Sequence, residues 1–442
     1  MPATLTAPLR QPDPLGAAFA QLRQASPAWM QPLRQAAWAR FLKRGLPTTR
    51  DEDWRFTSLA ALAALPLAPA RPGPAPRMEG AVFGTLPGPC LVFVNGHFAP
   101  SLSHVGTLPK GVKITHRAAQ WAQEHADGCD ETATATPSQH EGPFEALNAA
   151  FHQDGALIEL AEDAELSEPL RLFFIHTATE DGSMASLRHR IIAGPRSRAT
   201  VIEAHLGQTH AAYFNNSLTE IHAAAEARVE HLRFQDESAA AIHVGTLSLR
   251  LAAGSHVAHH SLLLGARLAR CNLRARLEGE RADCLLNGMC LGAGTQVLDH
   301  HMVMEHVSRH CESREFFNGI LDDESRGVFH GRIHVHPGAV KTDAKQTNRN
   351  LLLSGEATAN TKPQLEIYAD DVRCTHGATV GQMNPDQVFY LRARGISQES
   401  AQRMLVHAFA GEIIDRIACQ PAREELDRLV WDRLEQNPHI AA

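Results

Sequence analysis

A chain of 442 residues exceeds the usual ceiling for one compact core, so two or three units are expected, or one elongated repeat body with appendages. Hydrophobic content of 44% is ample for folding, and a net charge of −7 with no Lys/Arg cluster argues against general nucleic-acid binding. No run of about 18 apolar residues is present to span a bilayer. The start, Met1 to Arg10, has no charged region leading into an apolar one, so no signal peptide is read. Eight scattered cysteines without a CxxC pair point to reduced thiols in cytosol.

The N-terminal region reads as helical. Phe19 and Leu22 mark a short amphipathic piece, Leu33, Ala37 and Phe41 recur every four residues, and Gly45 with Pro47 supplies the stop. In the polar turn that follows, Thr48 to Thr57, Trp54 and Phe56 are expected to anchor the loop onto the body. Five prolines between Pro66 and Pro76 predict a linker. These elements make up an expected helical region and linker over 1–80. Beyond it, Leu91 to Phe98 carries the Asn-Gly hairpin signal between apolar runs, and a short helix is expected around Phe144 to Phe151.

From Leu170 short strand-like runs follow one another, with no convincing helix until about residue 395. Small-x-apolar triplets begin at Ala199, Ala227, Ser255 and Ala282, a spacing of 27 to 28 residues. Such a period marks a repeat architecture. Because each repeat reads as strands, the expected form is a parallel β-solenoid, with a β-sandwich as the rival. Roughly ten coils at about 4.8 Å each would make a rod about 45 Å long. Asn348 and Asn350 fit stacking positions at its corners. After Gly395 the period turns helical. Ser397 reads as an N-cap, Ala401, Met404, Leu405, Ala408 and Phe409 form one stripe that drifts to Ile413 and Ile417, and a second helix opens at Pro421 and carries Leu426, Leu429, Val430 and Leu434. This pair is expected either to cap the rod or to present a docking face. The expected core spans 81–392 and the C-terminal helical domain 393–442.

Chemistry concentrates where strand gives way to helix. Gln364 to Arg373 alternates like a strand, and Cys374, Thr375 and His376 follow it. If the strand continues, Cys374 and His376 share a face about 6.5–7 Å apart. A thiolate and an imidazole can hold iron or zinc, yet they are half of a four-ligand site, so the other ligands must come from elsewhere in the fold or from another chain. The bland alternative is a buried small hydrophobe and a hydrogen-bonded loop histidine. Asp299, His300, His301, Glu305 and His306 also suggest a metal site, but on a strand His300 points away from Asp299 and His301. His334 and His336 share a face as another half-site. Asp322-Asp323 and Asp370-Asp371 offer the paired carboxylates of a β-helix glycosidase, which low aromatic content (6%) disfavours. No GxxxxGK[ST], GxGxxG or GxSxG loop is present.

Val340 to Ser354 and Lys362 to Gly381, with Phe214 to Ile221, Leu285 to Gly288, Gly327 to Gly331, Phe389 to Gly395 and the Asp53-Trp-Arg-Phe-Thr57 turn, resemble the SufB/SufD family of iron–sulfur cluster assembly proteins. The Cys374-Thr-His-Gly-Ala-Thr-Val-Gly381 segment is similar to the SufD branch. The resemblance implies a right-handed parallel β-helix between helical N- and C-terminal domains. It implies a non-catalytic, cytoplasmic scaffold subunit that pairs with SufB, couples through its C-terminal helices to the ATPase SufC, and as an isolated chain is either single or a homodimer. It also implies a transient Fe–S cluster at the SufB seam, held here by His376 and Cys374, and a reduced flavin, FADH2, associated with the complex. A purely structural subunit that only positions SufB is the alternative.

Overall fold

The computed structural model describes residues 14–119 and 141–436. Its body is a parallel β-solenoid in which each coil gives one strand to each of two sheets, and both sheets hold ten strands. Strand Arg228–Asp236 shows why the sequence coils. Val229, His231, Arg233 and Gln235 face the lumen, while Leu232 and Phe234 face outward and are buried under other elements. Register confirms the repeat with one correction. Val229, Val257 and Cys284 align, but Val229 pairs with Ala199 rather than Val201, so the true first triplet is Ser197-Arg-Ala199. The column continues through Ser313 and Ala344 to Cys374.

One corner of each coil is turned by a left-handed residue: Arg196, Glu226, Gly254, Arg281, His310, Lys341 and Asp371 all have positive φ. Only one of these is glycine, although a left-handed conformation costs other residues roughly 1–2 kcal/mol. The stack recovers part of that cost, because backbone N–H groups at these corners donate to the next coil, as from Glu226 to Ala253 and from Arg281 to Arg309. Asn348 and Asn350 are not at corners. They point inward from strand Asp343–Leu352, where Asn348 donates to the Phe317 carbonyl and Asn350 to Asn348.

The Asn95-Gly96 hairpin forms as expected, with φ of 50° and 84° between the antiparallel pair Cys90–Val94 and His97–Phe98. N-terminal helices Pro14–Ala25 and Met30–Arg44 join helix Pro143–Phe151 on the outer face of the first sheet, burying Phe19, Trp38 and Phe41 with Phe151 and Phe214. The proline-rich segment is strapped down rather than free, since Ala68-Pro69 pairs with Ser183-Met184. Trp54 is buried under Arg270, whose guanidinium sits 3.8 Å from the ring centre. Phe56 is only half-buried, and Thr57 takes its anchoring place by donating 2.5 Å to Asp299.

C-terminal helices begin earlier than the period switch, at Pro385–Arg392, and continue with Gln398–Ile414 and Gln420–Gln436. Ser397 caps its helix by accepting from the Ser400 N–H. Ala401, Ile413 and Ile417 are buried as expected, but between them the stripe runs through Val406, Ala410 and Ile414 rather than Met404, because the outer face of the second sheet selects it; Phe409 is half-buried at its margin. Ala422, Leu426, Val430 and Leu434 complete the contact. The pair thus lies along the rod and does not cap it. Among the described residues the terminal strands Thr358–Ile367 and Arg373–Gln382 each pair on one side only. No helix of the described residues is long and apolar enough to cross a membrane.

Candidate functional site

The strand expected over Gln364 to Arg373 is broken in two. It ends at Ile367, turns through Asp370 and Asp371, and resumes at Arg373–Gln382, which carries Cys374 and His376. Both side chains therefore stand on one strand, at the end of two inward-facing columns. One runs Cys284, Ser313, Ala344, Cys374 and the other Leu286, Glu315, Gln346, His376. In inner coils these positions are sealed, but among the described residues no coil covers the last rung, so Cys374 is half-buried and His376 exposed. His376 makes no hydrogen bond or ion pair among the described residues. Ile367, Tyr368 and Val380, each between 41 and 60% exposed, rim the same open end. An unpaired parallel edge beside exposed apolar groups is a surface suited to another chain.

The chemistry beneath the rim bears on ligation. Burial pushes the Cys374 thiol up, against a backbone hydrogen bond involving Ala344 and with the charges of Asp343 and then Glu315 adding to it. Only the thiolate binds metal, so this site favours ligation when a proton acceptor is present. Glu315 itself is fully buried and pushed up to about 7 by that burial, although Gln346 (2.9 Å) and Ser313 (3.2 Å) both donate to it.

The remaining candidates separate. Asp299 is taken by Arg270 at 2.7 Å and by Thr57. His300 turns inward to Cys290 (3.4 Å) and Ser261 (2.9 Å), and His306 to Ser313. His301 instead faces outward, beside His330 of the next coil and Asp53 of the N-terminal turn. That meeting was missed in the sequence, although the 29-residue step from His301 to His330 is one coil period. His334 and His336 do share a face, with ring centres 4.3 Å apart, and each meets a carboxylate, His334 that of Glu366 at 2.9 Å and His336 that of Glu305 at 3.3 Å. Asp322-Asp323 lies at the corner leading from the second sheet to the first, and Asp370-Asp371 at the opposite corner, so they share no cleft.

Residues 174–409 match the family model for the SUF system FeS cluster assembly SufBD core domain. The iron–sulfur cluster assembly protein SufD of Escherichia coli is 33% identical over 92% of this chain and 93% of its own length. The chain belongs to the SufBD family. Similar relatives include a SufBD family protein of Synechocystis, 32% identical over 84% of both chains, and the chloroplastic protein ABCI7 of Arabidopsis thaliana, 26% identical over 90% of this chain. The matched SufBD core takes in the terminal rung and most of helix Gln398–Ile414. Membership agrees with the solenoid and its flanking helices, and it makes iron–sulfur cluster assembly the setting in which an open half-site is to be read.

Proposed function

We propose that this chain is a non-catalytic scaffold subunit whose last coil pairs with SufB in the cytosol, so that a nascent cluster is built across the seam. The observation that carries the reading is the uncovered terminal rung, where Cys374 and His376 end two lumen columns on an unpaired edge. A thiolate and an imidazole there contribute part of a coordination sphere, and the partner supplies the rest. The cluster is cargo, assembled and passed on. Helices Gln398–Ile414 and Gln420–Gln436 follow the site strand by way of helix Pro385–Arg392, and their outward faces, including Met404, are the surface we assign to the ATPase SufC. ATP-driven motion of SufC, transmitted through that pair, would twist the seam and expose Cys374 and His376 to iron and sulfide. A flavin finds no cradle among the described residues: the one long rod strand that leads into a helix, Arg373–Gln382, does so through Met-Asn-Pro, not through the glycine-rich turn that holds a dinucleotide pyrophosphate. No step is drawn through it.

The test is the iron and sulfide content of the co-purified complex with Cys374→Ser, His376→Ala and both. The expected result is loss of cluster from an intact complex, larger for His376→Ala. Full cluster loading in the double variant would leave only the positioning role. Loss of assembly without any separate loss of cluster would do the same.

A further inference from the structure

Away from the terminal rung, the outer face of the first sheet holds three potential ligands whose donor atoms all lie within 4.8 Å of one another: Asp53, His301 and His330. His301 and His330 are partners in register on adjacent strands, Val297–His306 and Arg326–Val335, so their side chains leave the sheet one above the other. Asp53 arrives from the N-terminal turn. Its Oδ1 is 3.3 Å from His301 Nε2 and 3.7 Å from His330 Nδ1. Two ligand atoms about 2.05 Å from a tetrahedral zinc are about 3.3 Å apart, so both edges are close to coordination length.

We propose that Asp53, His301 and His330 form a binding site for a divalent first-row transition metal of the zinc class, which fastens the N-terminal turn to the solenoid. The hydrogen bonds point the same way. His330 Nε2 lies 2.9 Å from the Gln364 side-chain oxygen; with the ring proton on that nitrogen, the Nδ1 lone pair faces the Asp53 carboxylate. Two acceptors facing each other repel unless a cation lies between them. A histidine whose second nitrogen donates to a carbonyl oxygen is also the usual arrangement of a metal-bound imidazole. His301 Nε2 is buried and forms no hydrogen bond of good geometry, despite the nearness of Asp53. Neighbouring cations are already matched: Arg270 by Asp299 at 2.7 Å, and Lys362 by Glu52.

The carboxylate is held independently of any ion. Arg270 donates to the Asp53 backbone oxygen at 2.8 Å while lying over Trp54, and Thr57 ties the turn to Asp299. The Asp53 side chain is 58% exposed, so a fourth position opens to water. Two imidazoles and one carboxylate suit Zn2+, Co2+ or Fe2+, with Zn2+ bound more tightly than Fe2+.

The test uses the full chain, stripped with chelator and titrated with Co2+, whose visible bands report ligand geometry. The expected result is one equivalent of Co2+ displaced stoichiometrically by Zn2+ and less readily by anaerobic Fe2+. Affinity should fall at least 100-fold in His301→Gln and His330→Gln, and about tenfold in Gln364→Leu, with circular dichroism unchanged. The Cys374→Ser/His376→Ala double variant should keep the equivalent, which separates this site from the proposed cargo site. Absence of bound Co2+ in the folded wild-type chain, or an equivalent that survives in both histidine variants, would overturn the proposal.

Discussion

Glu315 offers the sharpest test of how the lumen is wired. It is fully buried one rung behind Gln346 and two behind His376, and burial pushes its carboxyl up from 4.5 to about 7. A carboxyl with a raised folded value favours the neutral form in the fold, so stability is intact below about 4.5 and declines as pH climbs to 7. At 1.36 kcal/mol per pH unit, that interval amounts to about 3 kcal/mol lost by pH 8. Glu315→Gln removes the titration. Gln346 Oε1 is buried without a hydrogen-bond partner, so a flip of the Gln346 amide lets it accept from the new amide. The substitution should therefore be nearly neutral at pH 5 and stabilise by about 2–3 kcal/mol at pH 8. Guanidinium unfolding at both pH values, with hydrogen exchange across strand Asp343–Leu352 as a local readout, measures it. A difference between variant and wild type that is the same at pH 5 and pH 8 would refute the argument.

Two further outcomes follow from the same interior. Glu203 is buried, and although burial works against its charge, Arg233 at 2.9 Å and His231 at 3.1 Å hold it well below the usual carboxylate range. Arg233→Met should cost about 3–5 kcal/mol in guanidinium unfolding, with much of it recovered by adding Glu203→Leu; an additive pair would count against the coupling. Glu237 is buried too, but His243 at 2.6 Å outweighs burial and brings its carboxyl down to about 2. A lowered folded value gives stability above 4.5 that is lost as pH falls toward 2, the reverse of Glu315. Glu237→Gln should cost about 1–3 kcal/mol at pH 7 and flatten the acid limb, read as the pH dependence of the unfolding midpoint.

Much of the architecture could be read from spacing. Corner and lumen positions recur every 27 to 31 residues, and a period is visible even when one triplet is misplaced by two residues, since Ser197-Arg-Ala199 and Ala199-Thr-Val201 have the same pattern. Faces were harder. Gln398–Ile414 carries apolar residues on more than one side, and only the sheet beneath decides that Val406 and Ala410 are buried while Met404 is 42% exposed. Cys374 and His376 were found from their two-residue spacing, but that they close two lumen columns depends on strand pairing. Asp53 escaped notice beside His301 because nothing local in a polar turn tells where on the rod it will land.

The last helix reaches back from the final rung to the middle of the rod. Glu425 accepts from the Phe83 N–H at 2.7 Å, Glu230 receives the Ala418 and Cys419 N–H groups at 2.6 and 3.0 Å, and Arg433 pairs with Asp236. A segment leaving the final turn of the spiral thus latches onto the middle of the rod, where Phe83 also rests against Phe234, and it works as a gauge. Adding or omitting one winding would displace every latch point by about 4.8 Å, more than a hydrogen bond tolerates. The tail's reach is thus matched to the number of windings between Arg228–Asp236 and the last rung.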